Sequence, residues 1–182
     1  MIKISEAKKY DGEIAEIGGF VKQIRDLKKM QFVIVEDITG SIQLSVQKNE
    51  ESAELNALIA SLTPESSVRV TGKVHADDFV KLGGVEIWPQ KIVVENKSAS
   101  PLPIDMGEHI ETNRDMRLDW RYLDLRRRDH RLIFKVQTAV EMAMREFWIA
   151  NDFIEIHSPK IVGAASEGGA EVFKVEYYDK DA

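Results

Sequence analysis

The stretch QFVIVEDITGSIQLSVQ, Gln31–Gln47, sets the fold class. Two runs rich in β-branched residues flank a turn sequence, and in the second run Ile42, Leu44 and Val46 alternate with polar residues. Alternation with a period of two is typical of a strand with one buried face. The sequence therefore predicts a β-hairpin that turns at Ile38–Gly40, with glycine at the position that needs a positive φ.

Three more strands and one helix are predicted around this hairpin. The strands are Ile14–Arg25, Ser67–His75 and Val85–Glu95. Inside the first strand, the pair Gly18-Gly19 predicts a bulge or a sharp bend. The run EESAELNALIASL, which ends at Thr63-Pro64, predicts a helix with four apolar residues on one side: Leu55, Leu58, Ile59 and Leu62. Three strands, a helix and two strands is the order of the OB fold, a mainly β barrel whose open face often binds oligonucleotides. An Ig-like sandwich fits less well, because it needs about seven strands.

The second part of the sequence is helical. It follows a linker rich in Ser and Pro, NKSASPLPIDMG. The run HRLIFKVQTAVEMAMREFWIAN then predicts a long helix, Arg131–Ala150, with Asn151 as its left-handed terminator. Its apolar face comprises Leu132, Ile133, Val136, Val140, Ala143, Met144 and Phe147. The following FIEI predicts a strand that Pro159 ends.

Composition excludes several classes of site. The chain has no cysteine, and its four histidines lie far apart, so neither a thiolate site nor a histidine-built zinc site is expected and no metal ligand is assigned. The net charge of −6 argues against indiscriminate binding to nucleic acid, so any such contact must be local. No run approaches the length needed to span a membrane, and the N-terminal residues lack a signal-peptide pattern, so a cytoplasmic protein is expected.

Four segments carry a resemblance to a known family. RLDWRYLDLRR (Arg117–Arg127) and FIEIHSPKI resemble the entry to the catalytic domain of class II aminoacyl-tRNA synthetases of the aspartate, asparagine and lysine subgroup. GGFVKQIRDLKKMQFVIVEDITGSIQ and PKIVGAASEGGAEVF resemble the anticodon-binding domain and the amino-acid-binding loop of aspartyl-tRNA synthetases, in the archaeal and eukaryotic form. The sequence departs from that family's pattern at Lys28, Glu36 and Ser158. The resemblance implies three regions: an anticodon-binding OB domain over residues 1–97, a hinge and linker over 98–125, and the first part of an α+β catalytic domain over 126–182.

The outer face of the OB domain is the candidate anticodon site. Unpaired bases are recognised by stacking on aromatic rings and by hydrogen bonds to their edges, which makes Phe32 a candidate stacking residue and Gln43 a candidate base reader. The alternative is that Phe32 belongs to the core. The resemblance adds Arg25 as a donor to base or phosphate and Glu86 as an acceptor. Lys22 and Lys81 are expected to flank the groove and contact phosphate.

The segment SEGGA is the candidate amino-acid loop. Glu167 would bind the ammonium group of aspartate, Ser166 would donate a hydrogen bond, and Gly168 and Gly169 would allow close approach. The alternative is an ordinary surface turn. By resemblance, Pro159 and part of the long helix lie at a two-fold interface, which implies a homodimer.

The resemblance implies an ATP-dependent aspartate–tRNA ligase that acts through aspartyl-adenylate with Mg²⁺. Its partners would be aspartate, ATP and aspartate tRNA, with asparagine tRNA as an open possibility. The second and third motifs of the family, which hold ATP, are not found in these 182 residues. No catalytic residue is therefore assigned, and the chain alone is expected to be inactive. Two alternatives stay open: an asparaginyl-tRNA synthetase or related amide-forming enzyme, and a non-catalytic tRNA-binding module.

Overall fold

The computed structural model describes residues 1–107, 112–159, 176–177 and 180–181. It divides into two compact units, Met1–Asp105 and Met106–Ala182.

The first unit is a closed five-stranded sheet with one helix. Its elements, after a 3₁₀ helix at Ile4–Tyr10, are β1 (Ile14–Asp26), β2 (Met30–Glu36), β3 (Ser41–Gln47), α1 (Ala53–Ser61), β4 (Ser67–Ala76) and β5 (Val85–Asn96). The strand order is β1-β2-β3-β5-β4, and the sheet closes because β1 pairs with both β2 and β4. The β3–β5 pair is parallel and the other pairs are antiparallel. The predicted OB fold is confirmed.

The core of this unit fills the inside of the closed sheet. Successive residues of a strand face opposite sides, so every second side chain points inward. The fully buried side chains include Ile17, Val35, Ile42, Leu44, Val70, Val74 and Ile87. Helix α1 adds Ile59, which is also fully buried, and packs Leu55 and Leu58 against the same core. The predicted apolar side of the helix is therefore confirmed.

The β2–β3 turn is held by a carboxylate and not by an unusual glycine. The side chain of Asp37 accepts hydrogen bonds from the backbone N–H groups of Thr39 (2.6 Å) and Gly40 (2.9 Å) and from the Thr39 hydroxyl (2.6 Å). It also accepts one from the N–H of Ile4, which ties the 3₁₀ helix to the turn. The hairpin is confirmed, but the positive φ expected at Gly40 is wrong. The Asp37 carboxylate supplies the turn geometry, as such side chains often do.

The bulge in β1 lies at Lys22, and the prediction of a bulge at Gly18-Gly19 is wrong. The register between β1 and β2 shifts between Val21 and Gln23. This is the region where β1 leaves β4 and continues with β2 alone. Gly19 is required for close packing and not for a bulge. A Cβ at this position would lie 2.7 Å from the backbone oxygen of Glu36. The glycine therefore permits close approach of two backbones.

The second unit is mainly helical in the part that the structure describes. Its elements are α2 (Arg114–Asp119), α3 (Arg121–Asp124), α4 (Arg128–Ala150) and two short paired strands, β6 (Glu176–Tyr177) and β7 (Lys180–Asp181). The predicted long helix is confirmed. No helix among the described residues combines the length and the apolar composition needed to cross a membrane.

Two predictions about the end of α4 are wrong. Asn151 has a φ of −108°, and the left-handed residue is Asp152, with a φ of 65°. The FIEI segment, residues 153–156, forms no strand, because no described strand pairs with it. Instead, Glu155 pairs with Arg145 of α4, with Nε to Oε2 at 2.8 Å. The segment is thus joined to α4 by an ion pair and not to a neighbouring strand by backbone hydrogen bonds.

Candidate nucleic-acid interface

The candidate face is the outer side of β1, β2, β3 and β5. The two neighbours of Phe32 along β2, Gln31 and Val33, are buried inside the closed sheet. Because successive side chains of a strand point to opposite faces, the half-buried Phe32 lies on the outer face. In the sheet register, Arg25 lies opposite Phe32, and Phe32 lies opposite Ser45. Residues directly opposite each other on paired strands share a face. The alternative that placed Phe32 in the core is therefore wrong.

A second row crosses the same face beside the first. Ile34 lies opposite Gln43, and Gln43 is in register with Glu86 on the parallel strand β5. His75 of β4 lies opposite Glu86 and extends the row. The fold thus brings together on one face four of the predicted residues: Arg25, Phe32, Gln43 and Glu86.

Glu86 is held by three donors. Its Oε1 accepts a hydrogen bond from Nε1 of Trp88 at 2.7 Å, and its Oε2 accepts one from Nε2 of Gln43 at 3.0 Å. The Ser45 hydroxyl also donates to Oε2. The residue is buried, with 8% of its surface exposed. Buried carboxylates need such partners, and these three fix the orientation of the group before any ligand arrives.

Sequence reasoning missed Ser45 and Trp88. The signal for both was present, because Ser45 shares the polar side of β3 with Gln43, and Trp88 is two residues after Glu86 on β5. Side chains two apart on a strand lie on the same face.

The three predicted cations lie in different settings. Arg25 is exposed, and its Nη2 donates to Oε1 of Gln23 at 3.1 Å. Lys81 is exposed in the β4–β5 loop. Lys22 is partly buried, and its ammonium lies 2.6 Å from Oε1 of Glu65. A phosphate at Lys22 would have to share or replace that carboxylate, so its predicted contact with RNA stays a prediction.

A charged cluster joins the three helices of the second unit. Nε of Arg117 in α2 lies 3.0 Å from Oδ1 of Asp124 in α3, and Nδ1 of His130 in α4 lies 2.8 Å from the same oxygen. Burial alone would raise the pKa of Asp124, but the Arg117 hydrogen bond and the nearby positive charges lower it below its ordinary value. Arg127, the residue just before α4, is itself buried and pairs with Asp129.

The remaining predicted site residues fall between positions 159 and 169 of the sequence. The loop residues Ser166, Glu167, Gly168 and Gly169 lie outside the described residues. Pro159 is described and exposed, without regular structure. Within the described part of the chain, no group of three or more His, Asp or Glu side chains could hold a metal ion.

Two family models match successive parts of the chain. Residues 15–95 match the OB-fold nucleic acid binding domain, and residues 113–181 match the class II tRNA synthetases (D, K and N). Over 94% of its length the chain is 42% identical to an aspartate–tRNA(Asp/Asn) ligase of Methanopyrus kandleri and 40% identical to an aspartate–tRNA(Asp) ligase of Thermococcus kodakarensis. The similarity of this chain to class II tRNA synthetases thus extends over nearly its whole length. The predicted resemblance and the predicted order of folds, an OB fold followed by the start of a class II catalytic domain, are confirmed.

Solved synthetase structures have the same fold. The asparaginyl-tRNA synthetase of Pyrococcus horikoshii, in complex with asparaginyl-adenylate, superimposes with a TM-score of 0.86 at 31% identity over 99% of the chain. A structure described as an aspartyl-tRNA synthetase of Leishmania major superimposes with a TM-score of 0.84 at 29% identity. The chain covers 41% and 37% of those two structures and about 40% of the two ligases. It thus spans less than half the length of these synthetases.

Proposed function

We propose that this chain functions in an aspartate–tRNA ligase and that its closed sheet reads the tRNA anticodon. The observation that carries the proposal is the juxtaposition of Phe32, Gln43 and Glu86 on one outer face of an OB fold. The relatives named aspartate–tRNA ligase support the choice of amino acid.

Each residue of this face has a definite chemical task in the proposal. The Phe32 ring stacks on an unpaired base. The Gln43 amide and the Glu86 carboxylate bind polar groups on base edges, and three protein donors already fix the carboxylate in place. Arg25 binds base or phosphate, while Lys22 and Lys81 bind phosphate. Because the chain has a net charge of −6, these local cations must supply the attraction to RNA.

Substitution of Phe32 tests this assignment. The Phe32→Ala variant is expected to bind aspartate tRNA about tenfold or more weakly than the wild-type chain, since one stacked base contributes about 1–3 kcal/mol. Affinity is measured by fluorescence anisotropy at a fixed salt concentration. Ile38→Ala is the matched control, because Ile38 is 70% exposed at the β2–β3 turn, away from the candidate face. Equal affinity of both variants and the wild type would contradict the assignment, provided that their thermal midpoints agree.

The proposed reaction of the complete ligase joins aspartate to tRNA in two steps. The aspartate carboxylate attacks the α-phosphate of ATP, which releases pyrophosphate and forms aspartyl-adenylate. A ribose hydroxyl of the terminal adenosine of the tRNA then attacks the acyl carbon, which forms the ester and releases AMP and a proton. Magnesium would neutralise phosphate charge during the first step. In this chain, Glu167 would bind the substrate ammonium, Ser166 would donate a hydrogen bond, and Gly168 and Gly169 would let the loop approach closely. No described residue is assigned to magnesium or ATP.

Asparagine is the second candidate amino acid. The resemblance to the Pyrococcus horikoshii asparaginyl-tRNA synthetase favours it, at a TM-score of 0.86. The anticodons of the two tRNAs differ only at the third base, so affinity for the two transcripts distinguishes the candidates. An aspartate-specific reader binds aspartate tRNA more tightly, an asparagine-specific one shows the opposite order, and a ligase of the Asp/Asn type binds both alike.

A homodimer is part of the proposal. Helix α4 buries none of its side chains in the described structure, and its predicted apolar face stays exposed. Exposed apolar area of this extent is typical of an interaction surface. A second copy of the chain would cover it, with Pro159 at the edge of the interface. Because tRNA is charged where translation takes place, the proposal places the protein in the cytoplasm.

A further inference from the structure

A second aromatic site lies on the candidate face, across the sheet from Phe32. Trp88 of β5 and His75 of β4 stack with their ring centroids 4.7 Å apart and their planes tilted by 37°. Trp88 is still 47% exposed, although His75 lies against it. An exposed tryptophan on this face offers a flat surface to a ligand.

The sheet register places Trp88 in the same row as Phe32. Gln43 pairs with Glu86 and Leu44 pairs with Ile87 along the parallel strands β3 and β5. Extension of this register by one residue on each strand brings Trp88 level with Ser45. Ser45 in turn lies opposite Phe32. Phe32 and Trp88 are therefore two strands apart, on the order of 10 Å. This separation suits two different bases of one unpaired loop.

Cations lie at both ends of this row. Arg25 is opposite Phe32 at one end, and Lys73 is opposite Trp88 at the other. Both are exposed. A strand of RNA that runs along the row would thus meet a positive charge, an aromatic ring, the Ser45 hydroxyl, a second aromatic ring and a second positive charge. Stacking platforms combined with cations along the backbone path are typical of sites for single-stranded nucleic acid.

We propose that Trp88, supported by His75, is a second stacking platform, which binds an unpaired RNA base different from the base at Phe32. The inference rests on the proposed function, because it takes the ligand to be a tRNA anticodon loop. Trp88 also donates its indole N–H to Glu86, so a purely positioning effect must be separated from stacking. Phenylalanine at this position would keep the ring and lose the donor, whereas leucine would lose both.

The test is a set of binding measurements with the full chain. The probe is an RNA hairpin with the anticodon stem and loop of aspartate tRNA, together with copies that each lack one loop base. The variants are Trp88→Leu, Trp88→Phe and Phe32→Ala. Trp148→Leu is the matched control, since Trp148 is 46% exposed on α4.

The expected result has two parts. Trp88→Leu weakens binding about tenfold or more, whereas Trp88→Phe and the control change it less than about threefold. Removal of one particular loop base weakens the wild type by a similar factor and has no further effect in Trp88→Leu. In Phe32→Ala, removal of a different loop base is the change that causes no further loss of affinity.

A fluorescence measurement supports the same inference without removing Trp88. The chain has three tryptophans, so in the variant Trp120→Phe, Trp148→Phe only Trp88 emits as an indole. The complete hairpin is expected to quench this emission, and the hairpin that lacks the assigned base is expected not to quench it.

Three results would overturn the inference. If Trp88→Leu binds like the wild type while Phe32→Ala is weakened, the second platform fails and the proposed function stands. Trp88 only positions Glu86 if two results are found together. Trp88→Leu and Trp88→Phe weaken binding equally, and removal of each loop base weakens binding by both variants as much as it weakens binding by the wild type. If the wild-type chain does not bind the hairpin, the inference and the proposed function fail together.

Discussion

At the scale of single residues, Gly19 gives the sharpest test of the fold. A Cβ at this position would lie 2.7 Å from the backbone oxygen of Glu36 and 2.7 Å from Cγ1 of Val35. Gly19→Ala is therefore expected to lower the free energy of unfolding by about 1–3 kcal/mol, because neither neighbour is the flexible end of a long side chain. Urea denaturation measures the difference.

Gly40 provides the control for this substitution. A Cβ there would meet only Cγ2 of Ile4, at 3.7 Å, and the residue does not have a positive φ. Gly40→Ala is thus expected to change stability by less than about 0.5 kcal/mol. Equal effects of the two substitutions would contradict the close approach of β1 and β2.

The residues of the candidate face were predictable to different degrees. Gln43 followed from the alternation of polar and apolar residues along β3. For Phe32 the pattern alone favoured the core, and the family resemblance favoured the outer face. Arg25 and Glu86 needed the family resemblance. Alternation shows that Ser45 and Trp88 share a face with Gln43 and Glu86, but the hydrogen bond from Ser45 to Glu86 could not be predicted, because it joins two strands whose residues lie 41 positions apart in the sequence. A contact between strands depends on register, which local pattern does not give.

At the scale of secondary-structure elements, alternation and helical period predicted every strand of the closed sheet and the long helix. The errors lie at element ends and irregularities, where a single contact decides the outcome. The β2–β3 turn is held by the Asp37 carboxylate and not by a positive φ at Gly40. The bulge of β1 lies at Lys22 and not at Gly18-Gly19. The residues of the FIEI segment are typical of β-strands, but a strand also needs a neighbouring strand with which to form backbone hydrogen bonds.

The cluster around Asp124 predicts how the stability of the second unit depends on pH. The pKa of Asp124 is lowered in the folded state, because Arg117 and His130 favour the carboxylate more than burial disfavours it. Its contribution is therefore fully present above the unfolded pKa, about 3.9, and is lost as pH falls through and below that value. Asp124→Asn is expected to be less stable than the wild type near pH 6 by about 1.5–3 kcal/mol.

Denaturation at several pH values checks this prediction. The helical circular dichroism signal is followed during urea unfolding of the wild type and Asp124→Asn between pH 7 and pH 3. The gap between the two proteins should narrow as pH falls below about 4. A gap that stays constant over this range would show that ionisation of Asp124 does not stabilise the helices.

At the scale of the whole molecule, the exposed side of α4 predicts self-association. Val140 is 52% exposed and Phe147 is 63% exposed. The double variant Val140→Glu, Phe147→Glu is expected to be a monomer at concentrations at which the wild-type chain is a dimer, because it would place charges in an apolar interface. Thr138→Glu is the control on the polar side of the helix. Sedimentation equilibrium measures the mass, and a wild-type chain that stays monomeric at tens of micromolar would contradict the prediction.

The closed sheet is proposed to read RNA. This role is tested by equilibrium binding of the chain, at a stated salt concentration, to aspartate tRNA and to three copies that each have one anticodon base changed. At least one change is expected to lower affinity about tenfold or more, as for the loss of a stacked or hydrogen-bonded base. Equal binding of all four transcripts, or binding of none, would contradict it.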